Sequence, residues 1–191
     1  MPAEIRPNQS IDLLKALHIL TRDGKLNQDS RRKLKQVYHL VNFIEPLFNE
    51  ALLRNEQPVI VDHGAGKSYL GFILYDLLLK QHATGQVIGI ESRPELVAQS
   101  KALAAELQFA RMDFQHLTVA ESITSPSLPA KVDMVTALHA CNTATDDAIR
   151  FGLSKQASYM VLVPCCQAEV AEVLRLHKNE SFSLTPLSEI W

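Results

Sequence analysis

The sequence predicts an α/β chain with a mainly parallel sheet covered by helices on both faces, and three observations carry that expectation. From Pro58 onward, short apolar and β-branched runs alternate with segments of helical periodicity. The runs are apolar along their length, as in strands buried on both sides, rather than alternating with polar residues. Two of them end in an acid: Val59-Ile-Val-Asp62, which opens onto Gly64 and Gly66, and Val87-Ile-Gly-Ile-Glu91. Ligands of such sheets bind at the carboxyl ends of the strands, beside the point where strand order reverses.

The elements follow in order. Residues 10–21 read as a short amphipathic helix with Ser10 as N-cap, broken at Asp23-Gly24. A longer helix starts near Asp29-Ser30, with Leu34, Val37, Val41, Ile44, Phe48 and Leu52 at helical spacing, and Pro46 is expected to kink or restart it. Residues 59–62 form strand one and 67–81 the helix after it. Residues 86–91 form strand two; Ser92 then caps a helix that has Pro94 in its first turn. Strand three is expected over 114–120, strand four over 132–139 and strand five over 158–164. A helix near 146–153, capped by Thr143 or Thr145, precedes strand five, and a last helix over 167–177 follows it. The chain divides into an N-terminal helical extension, 1–55, and a sheet domain, 56–191.

Composition narrows the function classes. Of the 191 residues, 47% are hydrophobic, enough for a sizeable core, yet no uninterrupted apolar run is long enough to cross a membrane. The N-terminus has no apolar signal region. Cys141, Cys165 and Cys166 form no disulfide framework, so a reducing cytoplasm is the expected setting. The net charge of −2 is uneven: the extension carries an excess of Lys and Arg, densest at Arg31-Arg-Lys-Leu-Lys35, and the sheet domain is acidic. That asymmetry is too weak to mark a nucleic-acid binder by itself.

The glycine loop admits three readings. A phosphate-binding loop would need a glycine where Val61 stands, although Gly66-Lys67-Ser68 supplies its end. A dinucleotide fingerprint would need a third glycine where Tyr69 stands. The spacing Asp62-x-Gly64-x-Gly66 fits the remaining pattern, in which no diphosphate is cradled and fewer glycines suffice. Glycines at a helix start let backbone approach a ligand, and an acid after strand two can accept bonds from ribose hydroxyls.

Together, Val61-Asp-His-Gly-Ala-Gly-Lys-Ser-Tyr-Leu-Gly-Phe72, Ala137-Leu-His-Ala-Cys-Asn-Thr-Ala-Thr-Asp-Asp-Ala148 and Val163-Pro-Cys-Cys-Gln167 resemble a subgroup of class I S-adenosylmethionine (SAM) methyltransferases. That subgroup looks related to the catalytic domain of eukaryotic tRNA acceptor-stem 2′-O-methyltransferases. The resemblance spans roughly residues 35–170. It implies a Rossmann-like sheet, SAM as cofactor and an acceptor substrate, with RNA the first to test. It places Gly64 and Gly66 against the methionine part and Glu91 at the ribose hydroxyls, with Asp62, His63, Ala65 and Ser92 also in the cofactor site. Glu121 and Ser122 come near the adenine, and Leu138 and His139 near the sulfonium. Ser68 stands where relatives carry a glycine, and His63 replaces a more usual apolar residue.

Among acceptor-side candidates, His139 can act as a base or only as a hydrogen-bonding group. Cys141 and Cys165 occupy positions similar to the cysteine pair of RNA 5-methylcytosine enzymes, so covalent attack is one reading. A His139/Cys141/Cys165/Cys166 metal cluster is another, and cysteines lining a pocket floor a third; no metal is expected. The class I fold normally ends in an antiparallel strand pair, for which residues 179–191 are too short. Strand five would then be an exposed edge, covered by residues 181–187 or by a second subunit, or the N-terminal helices would mediate a dimer. The competing class of function is a non-catalytic module on the same scaffold, and a small-molecule methyltransferase is a third reading, marked by a closed pocket rather than an open groove.

Overall fold

The computed structural model describes residues 4–138 and 143–164. Two helices lead the chain, α1 (Ile11–Ala16) and α2 (Gln28–Arg54). Ser10 caps α1, its Oγ accepting from the Leu13 N–H at 3.2 Å; α1 is shorter than expected. Asn27 caps α2, its Oδ1 accepting from the Ser30 N–H at 2.8 Å, and the helix starts at Gln28, close to the expected Asp29-Ser30. Pro46 does not divide α2, which runs as one helix of 27 residues. The proline is exposed, so the carbonyl it leaves without a donor can be solvated, and the buried stripe of Leu34, Val41, Ile44 and Phe48 holds the helix on both sides of it.

The sheet is all parallel, with strand order β3-β2-β1-β4-β5. The strands are β1 (Val59–His63), β2 (Gln86–Glu91), β3 (Met112–His116), β4 (Met134–Leu138) and β5 (Tyr159–Val163). β1 lies at the centre, with Asp62 opposite Gly89 of β2 and Thr136 of β4. Strand order reverses between β1 and β4, which sets the switch point at the end of β1.

The helix after β1 starts at Tyr69 rather than Lys67. It runs as α3 (Tyr69–Leu74), a π-helical turn (Tyr75–Leu79) and a last turn, α4 (Lys80–His82). In the π-turn Asp76 is buried and accepts from the Ser10 N–H at 2.7 Å, tying the start of α1 to the sheet domain. Burial pushes the Asp76 carboxyl up, against the pull of the Ser10 and Lys80 donors. Helix α5 (Pro94–Glu106) follows β2, with Pro94 at its first position; Arg93, not Ser92, holds the cap position.

Strand β3 sits two to four residues earlier than expected, because Thr118 starts a helix, α6 (Val119–Thr124). Thr118 and Glu121 form a reciprocal capping box, which turns residues 119–124 away from extended structure. Helix α7 (Thr143–Ser154) precedes β5. The expected last helix and the segment proposed to cover strand five lie outside the described residues.

Two cores flank the sheet. On one face, α1, α2, α3, the π-turn and α5 pack on Ile60, Val87, Phe114 and Met134. On the other, Phe151 of α7 and Ile123 of α6 pack with Val61, Ile88, Ile90 and Val135. Among the described residues no helix is long and apolar enough to cross a membrane.

Candidate functional site

The turn from β1 to α3 is built by backbone that needs little side chain. Gly64 has φ +66°, a left-handed conformation that L side chains rarely adopt, and the direction its Cβ would take is open space. The turn is pinned to β2: the Ala65 N–H donates to the Ile90 carbonyl at 2.9 Å, and the Gly66 N–H donates to Glu91 Oε2 at 2.7 Å. Thus the glycine loop and the acid after strand two, which the sequence placed at one edge, are in direct contact.

Glu91 is buried, and its carboxylate is fully engaged. Oε1 accepts from the Arg93 N–H at 3.0 Å and Nε at 2.9 Å, and from Ser92 Oγ at 3.4 Å. Oε2 accepts from Gly66 and from Arg93 Nη2 at 3.1 Å. Burial alone would push this carboxyl up; the donors of Arg93 and Gly66 outweigh it and bring it down to about 2. Arg93 is itself largely exposed, with 58% of its side chain in solvent.

Asp62 reaches the opposite environment. It is 2% exposed and accepts from Thr136 Oγ1 and Ser68 Oγ, both at 3.0 Å, and from the Gly71 N–H. Burial pushes its pKa up to about 6 against those three donors. A Cβ at Gly71 would come within 2.5 Å of Ser68 Oγ and 3.2 Å of Asp62 Oδ2, so glycine there permits the close approach. Asp62 therefore braces the turn from beneath.

His63 faces the other side of β1. It is 3% exposed, its ring lies 5.2 Å from that of Phe151, and its Nε2 has no hydrogen-bond partner among the described residues. Burial lowers its pKa, the Asp147 carboxylate opposing, so it packs as a neutral ring. Ala65 is half-buried in the turn. Glu121 is not at a strand end: it stands in the first turn of α6, exposed, its Oε2 accepting from the Thr118 N–H at 2.7 Å. Ser122 beside it is fully buried. Leu138 ends β4, half-buried. His139, Cys141 and Cys165 lie outside the described residues, as do most of the Leu-His-Ala-Cys and Pro-Cys-Cys-Gln motifs.

The structure adds residues that the sequence did not single out. Thr136 is a lone hydroxyl within the apolar strand Met134-Val-Thr-Ala-Leu138, a signal that could have been read. Arg93, two residues after Glu91, was legible only as a neighbouring charge. Ser68, noted in the sequence for its place in the glycine loop, holds φ +50°, a left-handed conformation that favours glycine.

Comparison with known proteins agrees with this architecture. A chain of magnesium protoporphyrin IX methyltransferase from Synechocystis PCC 6803, with bound S-adenosylhomocysteine, superposes with a TM-score of 0.53 at 19% identity over 86% of this chain and 73% of that one. Curated relatives include glutathione S-transferase C-terminal domain-containing proteins of Bos taurus, 28% identical over 166 residues, and Homo sapiens, 27% identical over the same length. Each match covers 86% of this chain but 24% of the relative, so the chain spans about a quarter of their length. A family model described as a methyltransferase domain matches residues 32–173, from within α2 past the end of β5, and the chain belongs to that family of methyltransferase domains.

Proposed function

We propose that the domain binds SAM across the Gly64–Gly66 turn and Glu91 and transfers its methyl group to an acceptor. The observation that carries this reading is the 2.7 Å bond from the Gly66 N–H to Glu91 Oε2, which makes one cradle of a glycine turn and a carboxylate at neighbouring strand ends. Open space above Gly64 leaves room for a ligand against the backbone. When bound, SAM supplies a methyl on a cationic sulfonium; an acceptor lone pair takes it as the carbon–sulfur bond breaks, the pair staying on sulfur and the acceptor's proton leaving to a base or water.

The chain's own contribution is placement. Glu91 offers two oxygens to the ribose hydroxyls once the exposed Arg93 side chain yields its two bonds, while the backbone donors of Gly66 and Arg93 keep the carboxylate ionised and aimed. By resemblance, Leu138 and His139 line the pocket near the sulfonium; His139 as base or as a hydrogen-bonding group, and Cys141 and Cys165, are the candidates on the acceptor side. An RNA acceptor draws on the resemblance and on the basic start of α2, where Arg31 pairs with Glu4 and Arg32 with Asp29. A cytoplasmic setting fits the cysteine usage, and a second subunit on β5, which pairs only with β4 among the described residues, would bury that edge.

Calorimetric titration of the 191-residue chain with S-adenosylhomocysteine tests the reading. Glu91→Ala is expected to weaken binding by about 1.5–3 kcal/mol, the value of hydrogen bonds to a charged group. Unchanged affinity would move the ribose elsewhere. Cofactor binding without methyl transfer to any cellular RNA, protein or small-molecule pool would favour the non-catalytic module.

A further inference from the structure

A cavity of about 420 Å³ opens beside the candidate cofactor edge, between α2 and the ends of β4 and β5. Its sheet-side wall is Leu138 and Val163, the last residues of adjacent strands, and Val37 and Leu40 of α2 face them. Tyr69 supplies the one phenol ring among the described lining residues, one residue after Ser68, whose hydroxyl braces Asp62. The volume falls within the range of small-molecule sites, and such walls hold an apolar body.

Among the described lining residues, charge and amide polarity are confined to one rim. Lys33, Gln36 and His39 stand on α2 at successive spacings of three, all exposed. Lys33 makes no ion pair among the described residues, whereas Arg31 and Arg32 beside it are each paired. None of the described lining residues is acidic. A site for single-stranded nucleic acid needs a basic track and a series of stacking rings; here the described walls are aliphatic apart from Tyr69, and Lys33 is the one lysine among the described lining residues.

We propose that this cavity takes the methyl acceptor, and that the acceptor is a small molecule with an apolar body and one anionic group held at Lys33. The proposal rests on the methyltransferase reading and narrows its substrate class. α2 is then a specificity element: its apolar face closes the pocket, and its basic rim selects the charge of what enters.

The test uses the full chain saturated with S-adenosylhomocysteine and four probes: naphthalene-2-carboxylate, 2-naphthyl phosphate, neutral 2-naphthol and a single-stranded oligoribonucleotide. Binding is followed by calorimetry in the wild type and in Lys33→Met, an exposed substitution checked for an unchanged melting curve. The expected result is that one of the naphthyl anions binds at one site, and that Lys33→Met weakens it about tenfold while 2-naphthol is unaffected. Which anion binds tighter tells a carboxylate acceptor from a phosphate. Equal anion affinity in wild type and variant, no binding of any naphthyl probe, or tighter binding of the oligoribonucleotide that displaces them would each overturn the proposal, the last in favour of RNA. S-adenosylhomocysteine binding is read separately: its presence with any of these failures leaves the cofactor reading standing, and its absence removes both.

Discussion

Asp62 and Glu91 are both acids at the ends of central strands, yet their surroundings push them in opposite directions. Glu91, held near 2, favours the folded state above the usual carboxylate range, and that contribution is lost as pH falls through its folded value. Asp62, raised to about 6, does the reverse: below pH 4 it is protonated folded or unfolded, and as pH rises to 6 the unfolded chain ionises while the folded one resists. The shift of roughly two units corresponds to at most about 3 kcal/mol of stability lost over that interval. Asp62→Asn keeps the shape: the amide oxygen goes on accepting from one of the Ser68 and Thr136 hydroxyls, and the other turns to accept from the amide nitrogen. Urea unfolding between pH 4 and 7 is expected to show the variant gaining on the wild type as pH rises to 6 and holding level above it. A constant difference would mean that Asp62 does not titrate in this window. Asp76 is raised too, so the wild-type slope alone would not isolate Asp62. The two acids were legible in the sequence as strand ends; their separate tasks were not, because Thr136, Gly71 and Arg93 reach them from elements that local pattern cannot bring together.

At the scale of the element, the β1–α3 turn carries a local conflict. Ser68 holds a left-handed conformation that costs a side-chain-bearing residue roughly 1 kcal/mol. Its hydroxyl donates to a buried carboxylate, a bond whose loss costs roughly 1.5–3 kcal/mol. The second figure is the larger, so Ser68→Gly is expected to destabilise the chain in spite of the relieved backbone. Ser68→Ala loses the bond and keeps the strain, and should be worse than glycine by about 1 kcal/mol in thermal or urea unfolding. A glycine variant more stable than the wild type would show that the hydroxyl contributes nothing. Element type was readable almost everywhere, since apolar runs and helical spacing set it. Misplaced boundaries have named causes: the capping box at Thr118 and Glu121 ends β3 early, and Ser68 delays α3 by two residues. The uninterrupted α2 is a case in which a tertiary face outweighs the local rule for proline.

For the whole molecule, the question is whether α1 and α2 are an appendage or part of the domain. Leu13, Leu14, Leu34, Val41 and Phe48 share one core cluster with Ile60, Leu70, Phe72 and Val87, so residues on either side of Pro58 bury the same sheet face. The family match begins at residue 32, within α2. Each large side chain buried there contributes roughly 1.5–3 kcal/mol, and the face of α2 alone therefore matches the 5–15 kcal/mol by which a whole domain is stable. The shared core predicts that the division at residue 55 is one of sequence position and not of folding. Residues 56–191 expressed alone are expected to show no cooperative thermal transition by circular dichroism and no S-adenosylhomocysteine binding, since the exposed sheet face would have no cover. A cooperative melt with retained binding would make the N-terminal helices a detachable layer. It would also separate their role in the acceptor cavity from any role in stability, because α2 could then be replaced without unfolding the sheet that carries Gly64, Gly66 and Glu91.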